Sequence, residues 1–505
     1  MGTSRSKPET TALAAAALVA IFHLALGGRY DLFRDELYFI VCGQHPAFGY
    51  VDQPPGVPIM AALLYKLGLG AWGLRIPAAL AAGALVWLAM RFARQLGGGR
   101  SGEALTGLAC AIAPMFMGMA ATLNTSAFEP LAWSAIACLF VRADRQGNDR
   151  ALIVAGIVAG LALQIKYAMV FWIVGLGVGL LCTPQRRLFL RPALWMGVAL
   201  AAAIALPSFL WQYVHGFPFL ELGAAAKGKN ADIPALPFLI NQLMVMNPVL
   251  APLWITGLIA PFFVRRLHDL RFLVIAAIVV VVIVRLGHGK DYYLAPLYPT
   301  FFTIGAITIA SGLNGAIGRI AIGIAGTAAL AFSALVAPLA LPILSPPALI
   351  DYMRHLGVAP QQQERSFKGT ALPQVMADQL GWRDFVRQVE AAWNRIPAAQ
   401  RASTVIKVEN YGEAAALDLY GQGRLPVVSG HNQYYLWGLR GHRPTNILSV
   451  QGDMAGLRPY CRSATLLDTT WSRYAMANEN GKVIAFCEGL TPRLEMLWPE
   501  LKNFS

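Results

Sequence analysis

Charge is what this chain lacks first. Asp, Glu, Lys and Arg make up 13% of its 505 residues, about half of what a soluble globular chain carries. Carboxylates are the scarcer sign, 27 Asp and Glu against 41 Lys and Arg, for a net charge of +14. Cysteine is sparse, with 6 residues at no metal-ligand spacing, which argues against a structural zinc module. There is no Gly-rich loop followed by Lys-Ser/Thr, so no P-loop nucleotide site. There is no internal repeat and no half-to-half similarity, which a transporter built from paired halves tends to show.

Apolar residues fill the space that charge leaves, at 56% of the chain. A basic excess in a soluble protein points to nucleic acid. In a chain this apolar it has a simpler home, because cytoplasmic loops of membrane proteins collect Lys and Arg. The composition predicts a polytopic helical membrane protein with membrane lipids, and no nucleic acid, as partners.

Apolar runs of bilayer length, roughly 20 residues, predict about eleven spans. They lie near 11–28, 75–95, 103–121, 126–142, 150–165, 167–183, 193–211, 248–264, 271–286, 292–310 and 318–341. The continuous run 150–183 is divided at "LQIKY", where Gln164 and Lys166 interrupt it. Every second loop is a short basic cluster: Arg91, Arg94 and Arg100; Arg142, Arg145 and Arg150; Arg186, Arg187 and Arg191; Arg265, Arg266 and Arg271. The alternate loops hold most of the carboxylates. This alternation predicts a cytoplasmic N-terminus and an extracytoplasmic C-terminus. Residues 11–28 also fit a signal peptide, and loop parity does not choose between the two.

The texture changes near 345. Residues 1–344 read as the membrane part, including a first extracytoplasmic loop at 29–74, and 345–505 as a soluble extracytoplasmic α/β domain. Its opening, "SPPALIDYMRHLGVAPQQQERSFKG", reads as a linker. "WRDFVRQVEAAWNRI" has helical period, with Trp382, Phe385, Val389 and Trp393 on one face. "STVIKVEN", "LPVVSG" and "TNILSV" read as buried strands, and "MANENGKVIAF" as a hairpin turning at Asn480-Gly481. Cys461 and Cys487 share this domain. They can pair if it faces an oxidising compartment, and two unpaired core thiols are the alternative.

The remaining charges gather on the outer side. The first loop carries Asp35, Glu36 and Asp52, with "LYFIVCG" as a short amphipathic helix and an apolar helix of about 14 residues after Pro54-Pro55. Helix capping by Asp35 and Glu36 is the bland reading. Glu129 stands at the outer end of the fourth span, Lys166 between the fifth and sixth, and Arg285, His288, Lys290, Asp291, Tyr292 and Tyr293 between the ninth and tenth. The loop 212–247 adds His215, Glu221, Lys227 and Lys229, of which the lysines equally fit snorkelling to headgroups. Ionisable groups at membrane depth are costly and mark function. Together they suit an anionic, lipid-linked substrate: cations hold a phosphate, a carboxylate serves as general base, and aromatics such as Tyr38, Phe48, Tyr50 and Tyr292 stack on a sugar. Paired carboxylates, Asp35 and Glu129 among them, equally suit a divalent cation.

The Asp-Glu after the first span, "GYVDQPPGVP", "NTSAFEPLAW", "IKYAM", "LPSFLWQYVHGFP" and "GKDYYLAPLYP" together resemble the C-superfamily of membrane glycosyltransferases, over nearly the whole membrane part. The bacterial family 39 group is nearest, similar to protein O-mannosyltransferases and to the aminoarabinose transferase of lipid A. "NYGEAAALDLYG" and "LPVVSGHNQYYLWG" resemble the extracytoplasmic domain of one bacterial branch. The resemblance implies transfer of a sugar from a polyprenyl-phosphate donor to a lipid, protein or cell-envelope glycan, at the outer face of the bacterial inner membrane and with inversion. It places the catalytic carboxylate on Asp35 with Glu36 beside it, and a second acidic position on Glu129. Lys166 falls on the donor-phosphate position, and Lys290 and Tyr292 on the cationic-aromatic motif. Where some relatives have Lys or His before Pro-Pro, this chain has Gln53 beside Asp52, so the phosphate leans more on Lys166, Lys290 or Arg285. A transporter or flippase for a lipid-linked or anionic solute is the main alternative, and predicts charges near the bilayer midplane. A membrane scaffold or sensor is the third reading, and leaves those charges unexplained.

Overall fold

Helices packed without a hydrophobic driving force need small residues where their backbones meet. The computed structural model, which describes residues 6–229, 234–313, 315–360 and 369–505, shows this at two crossings. A Cβ added to Gly305 would lie 1.7 Å from the Leu253 carbonyl oxygen, and one on Gly257 2.1 Å from that of Phe301. The helices Ala251–Phe263 and Tyr298–Gly312 therefore cross backbone to backbone. Gly179 meets the Phe272 carbonyl in the same way, at 2.1 Å, where Met169–Leu181 crosses Arg271–Leu286.

The chain forms two compact units, one of Met1–Arg29, Trp72–Leu210 and Asp232–Ile343, the other of Tyr30–Ala71, Trp211–Ala231 and Leu344–Ser505. Residues 30–71, grouped with the membrane part in the sequence reading, cluster with the C-terminal residues instead.

The first unit is helical. Among the described residues, six helices are long and apolar enough to cross a membrane: Glu9–Leu26, Gly70–Gln95, Pro192–Val214, Arg265–Leu286, Asp291–Gly312 and Ala316–Ala340. Two bent pairs raise the number to eight, Met169–Leu181 with Pro184–Leu190 at 110° and Leu236–Val245 with Pro248–Phe263 at 95°. The other expected spans are helical but interrupted, short or charged. Pro114 divides Arg100–Ile112 from Pro114–Met119, Asp149–Leu163 has 15 residues, and Glu129–Gln146 carries Glu129, Arg142, Asp144 and Arg145. The break at "LQIKY" falls where the pattern puts it, between Leu163 and Met169.

A buried polar knot locks this unit. The Asn247 amide donates to the Ala329 carbonyl (2.7 Å) and to Ser333 Oγ (2.9 Å), and Ser333 donates to the Ile112 carbonyl (2.6 Å). The predicted basic clusters hold carboxylates: Arg145 pairs with Asp269 at 2.5 Å, Arg187 with Asp144 at 2.9 Å and Arg191 with Asp149 at 3.1 Å.

The second unit holds a five-stranded sheet in the order β2-β1-β3-β5-β4, with β1 Thr404–Val408, β2 Val427–Ser429, β3 Asn446–Gln451, β4 Cys461–Thr469 and β5 Val483–Leu490. β1 runs parallel to β2 and β3, with the crossovers supplied by helices Tyr411–Tyr420 and Gln433–Trp437. β5 is antiparallel to β3 and to β4, and the Cys461–Cys487 disulfide joins β4 to β5. The expected hairpin within 476–486 is corrected: Ala477–Glu479 is a 3₁₀ turn, and Gly481 (φ 81°) ends a longer connection from β4. β4 escaped the pattern because it is mostly exposed, with no apolar alternation. The linker reading is also corrected, since Pro346–Leu356 is helical, while 361–368 lie outside the described residues. The first-loop helices are Arg34–Gln44 and Gly56–Tyr65, the latter 10 residues rather than about 14.

Candidate functional site

The first turn of the Arg34–Gln44 helix separates the two adjacent acids by role. Glu36 is fully buried, and its Oε2 accepts the Phe33 N–H at 2.8 Å, the return half of a capping box. Asp35 points elsewhere. Its side chain is 33% exposed, Oδ1 accepts the Tyr411 hydroxyl at 2.7 Å, and Arg34 Nε lies 3.7 Å from the same oxygen. Asp52 accepts the Tyr38 hydroxyl at 3.1 Å, and the phenol oxygen of Tyr38 in turn accepts the Gln433 N–H at 3.1 Å. Burial, and then the Asp52 carboxylate beside it, push the Tyr38 hydroxyl well above its ordinary value, so it donates rather than ionises. Gln53 is buried, and its backbone carbonyl accepts the Tyr50 N–H at 2.9 Å. Tyr50 and Phe48, offered as stacking residues, differ: Tyr50 is buried and Phe48 is 67% exposed.

The same unit places several other candidates locally. His215 stacks on Trp211 (centroids 4.0 Å), and Glu221 pairs with Lys502 at 2.6 Å. The side chains of Lys227 and Lys229 lie outside the described residues.

In the first unit, three expected residues converge. The Lys166 ammonium donates to Glu129 Oε2 at 2.6 Å and to Ser126 Oγ at 2.7 Å, and lies 5.6 Å from the Tyr292 ring centre and 4.9 Å from that of Tyr293. Both members of the pair are largely buried, Glu129 at 6% exposed and Lys166 at 18%. An ammonium carries three N–H donors, and these bonds use two. Backbone local to each group explains the placement. Asn124 caps the turn Thr125–Phe128 by accepting the Ala127 N–H, which sets Ser126 and Glu129 at the head of the Glu129–Gln146 helix. Lys166 sits in the break between two helices, where its side chain is not committed to a helix face. Arg285 lies over the Phe238 ring at 4.8 Å, and Lys290 stands at the N-cap position of the turn Asp291–Leu297 that carries Tyr292. Among the described residues, no three or more His, Cys, Asp or Glu gather as a metal-ligand group.

Sequence reasoning missed Ser126 and Tyr411. Ser126 had a signal, since it sits three residues before Glu129 in the quoted "NTSAFEPLAW". Tyr411 lies in the quoted "NYGEAAALDLYG", but nothing in that stretch marks its partner, 376 positions away.

The family of dolichyl-phosphate-mannose-protein mannosyltransferases matches residues 52–211. The lipid A galacturonosyltransferase RgtD of Rhizobium johnstonii is 29% identical over 189 residues, 37% of this chain and 39% of the relative. The chain thus matches about two-fifths of that curated relative's length. ArnT from Cupriavidus metallidurans in the apo state superposes with a TM-score of 0.59 at 16% identity, covering 96% of this chain and 98% of that one. The same protein bound to undecaprenyl phosphate gives 0.58 at 16%, covering 94% and 97%. The fold is similar to that of ArnT over nearly the full length of both chains.

Proposed function

We propose that the chain transfers a sugar from a polyprenyl-phosphate-linked donor to an acceptor at the outer face of the bacterial cytoplasmic membrane, inverting the anomeric centre. The observation that carries this reading is the fold match over nearly the full length of ArnT, one structure of which holds undecaprenyl phosphate. The buried Lys166 cluster supports it.

In this reading Asp35 takes the proton from the acceptor hydroxyl or amine as that atom bonds to the anomeric carbon. The bond from that carbon to the phosphate oxygen breaks, and its electron pair leaves with the polyprenyl phosphate. Single displacement at carbon gives inversion. Lys166, held in place by Glu129 and Ser126, directs its third N–H at the phosphate and stabilises the charge that develops there. Lys290 and Arg285 add cationic charge, Tyr292 an aromatic face, and Asp52 and Gln53 polar contacts to the sugar. Glu129, already neutralised by an ammonium, is a poor ligand for a divalent cation, so its role is to hold Lys166. Glu36 serves as a helix cap and not as a second base.

The test uses purified protein in nanodiscs with a panel of polyprenyl-phosphate sugars and candidate acceptors. Release of polyprenyl phosphate from at least one donor is expected, with Lys166→Ala raising the donor KM on the order of tenfold or more. Donor movement across a vesicle membrane with no release from any donor would instead favour the transporter reading.

A further inference from the structure

The reading above gives the C-terminal residues no part in the chemistry, yet one of them touches the acid it depends on. Tyr411 opens the helix Tyr411–Tyr420, whose start is fixed by reciprocal caps: Asn410 Oδ1 accepts the Glu413 N–H at 3.0 Å, and Glu413 Oε2 accepts the Asn410 N–H at 3.1 Å. The ring is 7% exposed and confined on several sides. Tyr38 packs against it at a tilt of 36° with centroids at 4.6 Å, the Arg34 guanidinium lies 5.4 Å from its centre, and His431 is 5.0 Å away, ring to ring. With the ring held, the hydroxyl donates to Asp35 Oδ1 at 2.7 Å.

We propose that Tyr411 is a positioning residue for Asp35: its hydroxyl fixes one carboxylate oxygen and so aims the other at the acceptor. This inference rests on Asp35 being the base. A half-exposed aspartate on the first turn of a helix samples several rotamers, and a base that samples them loses effective concentration at the proton it must take. A neutral phenol suits the task, because it orients the carboxylate without cancelling its charge. The C-terminal residues then share in turnover.

The experiment compares steady-state kinetics of the full chain as wild type, Tyr411→Phe, Asp35→Asn, Asp35→Glu and the Tyr411→Phe/Asp35→Glu double variant. Tyr411→Phe is expected to lower kcat about tenfold with donor KM within about twofold. In the Asp35→Glu background, where the added methylene already displaces the carboxylate, the same change is expected to cost less than about twofold, because the two share one interaction. Tyr420→Phe removes a hydroxyl from the same helix that bonds Asp31 at 3.0 Å, and is expected to leave kcat within about twofold. An equal kcat loss in Tyr420→Phe, or a Tyr411→Phe loss of the same size in both Asp35 backgrounds, would assign the effect to a loosened helix and overturn the proposal. Wild-type kcat in Tyr411→Phe with Asp35→Asn inactive would overturn the proposal alone. Full activity in Asp35→Asn would overturn the base assignment and this inference with it. Should Tyr411→Phe not fold, 3-fluorotyrosine at 411 keeps the ring and strengthens the donor, and an unchanged kcat there would also count against the proposal.

Discussion

At the scale of single residues, adjacent acids in one helical turn have separable tasks. Glu36 accepts a backbone N–H from a fully buried position, while Asp35 faces a hydroxyl and solvent. Glu36→Gln keeps an acceptor for Phe33, so turnover per folded molecule should survive it, whereas Glu36→Ala should lower stability by about 1 kcal/mol, read by thermal unfolding. The Lys166–Glu129 pair predicts a sharper contrast. Lys166→Met leaves a buried carboxylate without its counter-charge, a cost of about 3–5 kcal/mol. The double variant Lys166→Met/Glu129→Gln should regain most of that stability but not donor binding. Recovery of both, in parallel unfolding and donor titrations, would make the pair purely structural. Lys166 and Glu129 were legible in sequence because ionisable side chains inside apolar runs are rare enough to need a reason. Tyr411 was not, because tyrosines are ordinary in a soluble domain and nothing local marks a partner 376 residues away.

At the scale of elements, the second unit carries two devices that solution conditions can read. The Cys461–Cys487 bond closes a separation of 26 residues between β4 and β5, which on a chain-entropy basis is worth about 3–4 kcal/mol. Cys461→Ala, or reductant, should lower the unfolding temperature of the second unit measurably. The second device is the buried cluster of Glu413, Glu479 and Lys482, with Lys482 Nζ bonded to Glu413 and 3.2 Å from Glu479. Burial outweighs the attraction of Lys482 and, with the like charge of Glu479, pushes Glu413 up to about 8. The folded state then holds a proton that the unfolded chain releases near pH 4.5. Stability should fall as pH rises from about 4.5 to about 8 and level off above. Glu413→Gln should abolish that fall in a pH series of unfolding curves. β1, β2 and β3 were legible as short apolar runs between turn residues. β4 was not, since its register comes from pairing with β5 and the disulfide rather than from its own pattern.

For the whole molecule, the alternation of basic loops predicts an extracytoplasmic C-terminus. On that expectation an alkaline phosphatase fused after residue 505 should be active in a bacterial host, as it folds only outside the cytoplasm. The helical character of every expected span was legible, but their continuity was not. Pro114, the bends at Thr183 and Met246–Asn247, and the charges of the Glu129–Gln146 helix interrupt apolar runs in ways that a window of hydrophobicity averages away. The bonds of the first loop to the C-terminal residues were hidden because they join positions 376 to 395 residues apart. The most direct test of the central claim measures release of polyprenyl phosphate from its sugar-linked donor by wild type and Asp35→Asn, both shown to be folded. Release by wild type, reduced at least 100-fold in the variant, is the result expected. Equal release by both would contradict the assignment of Asp35 as the base on which the mechanism depends.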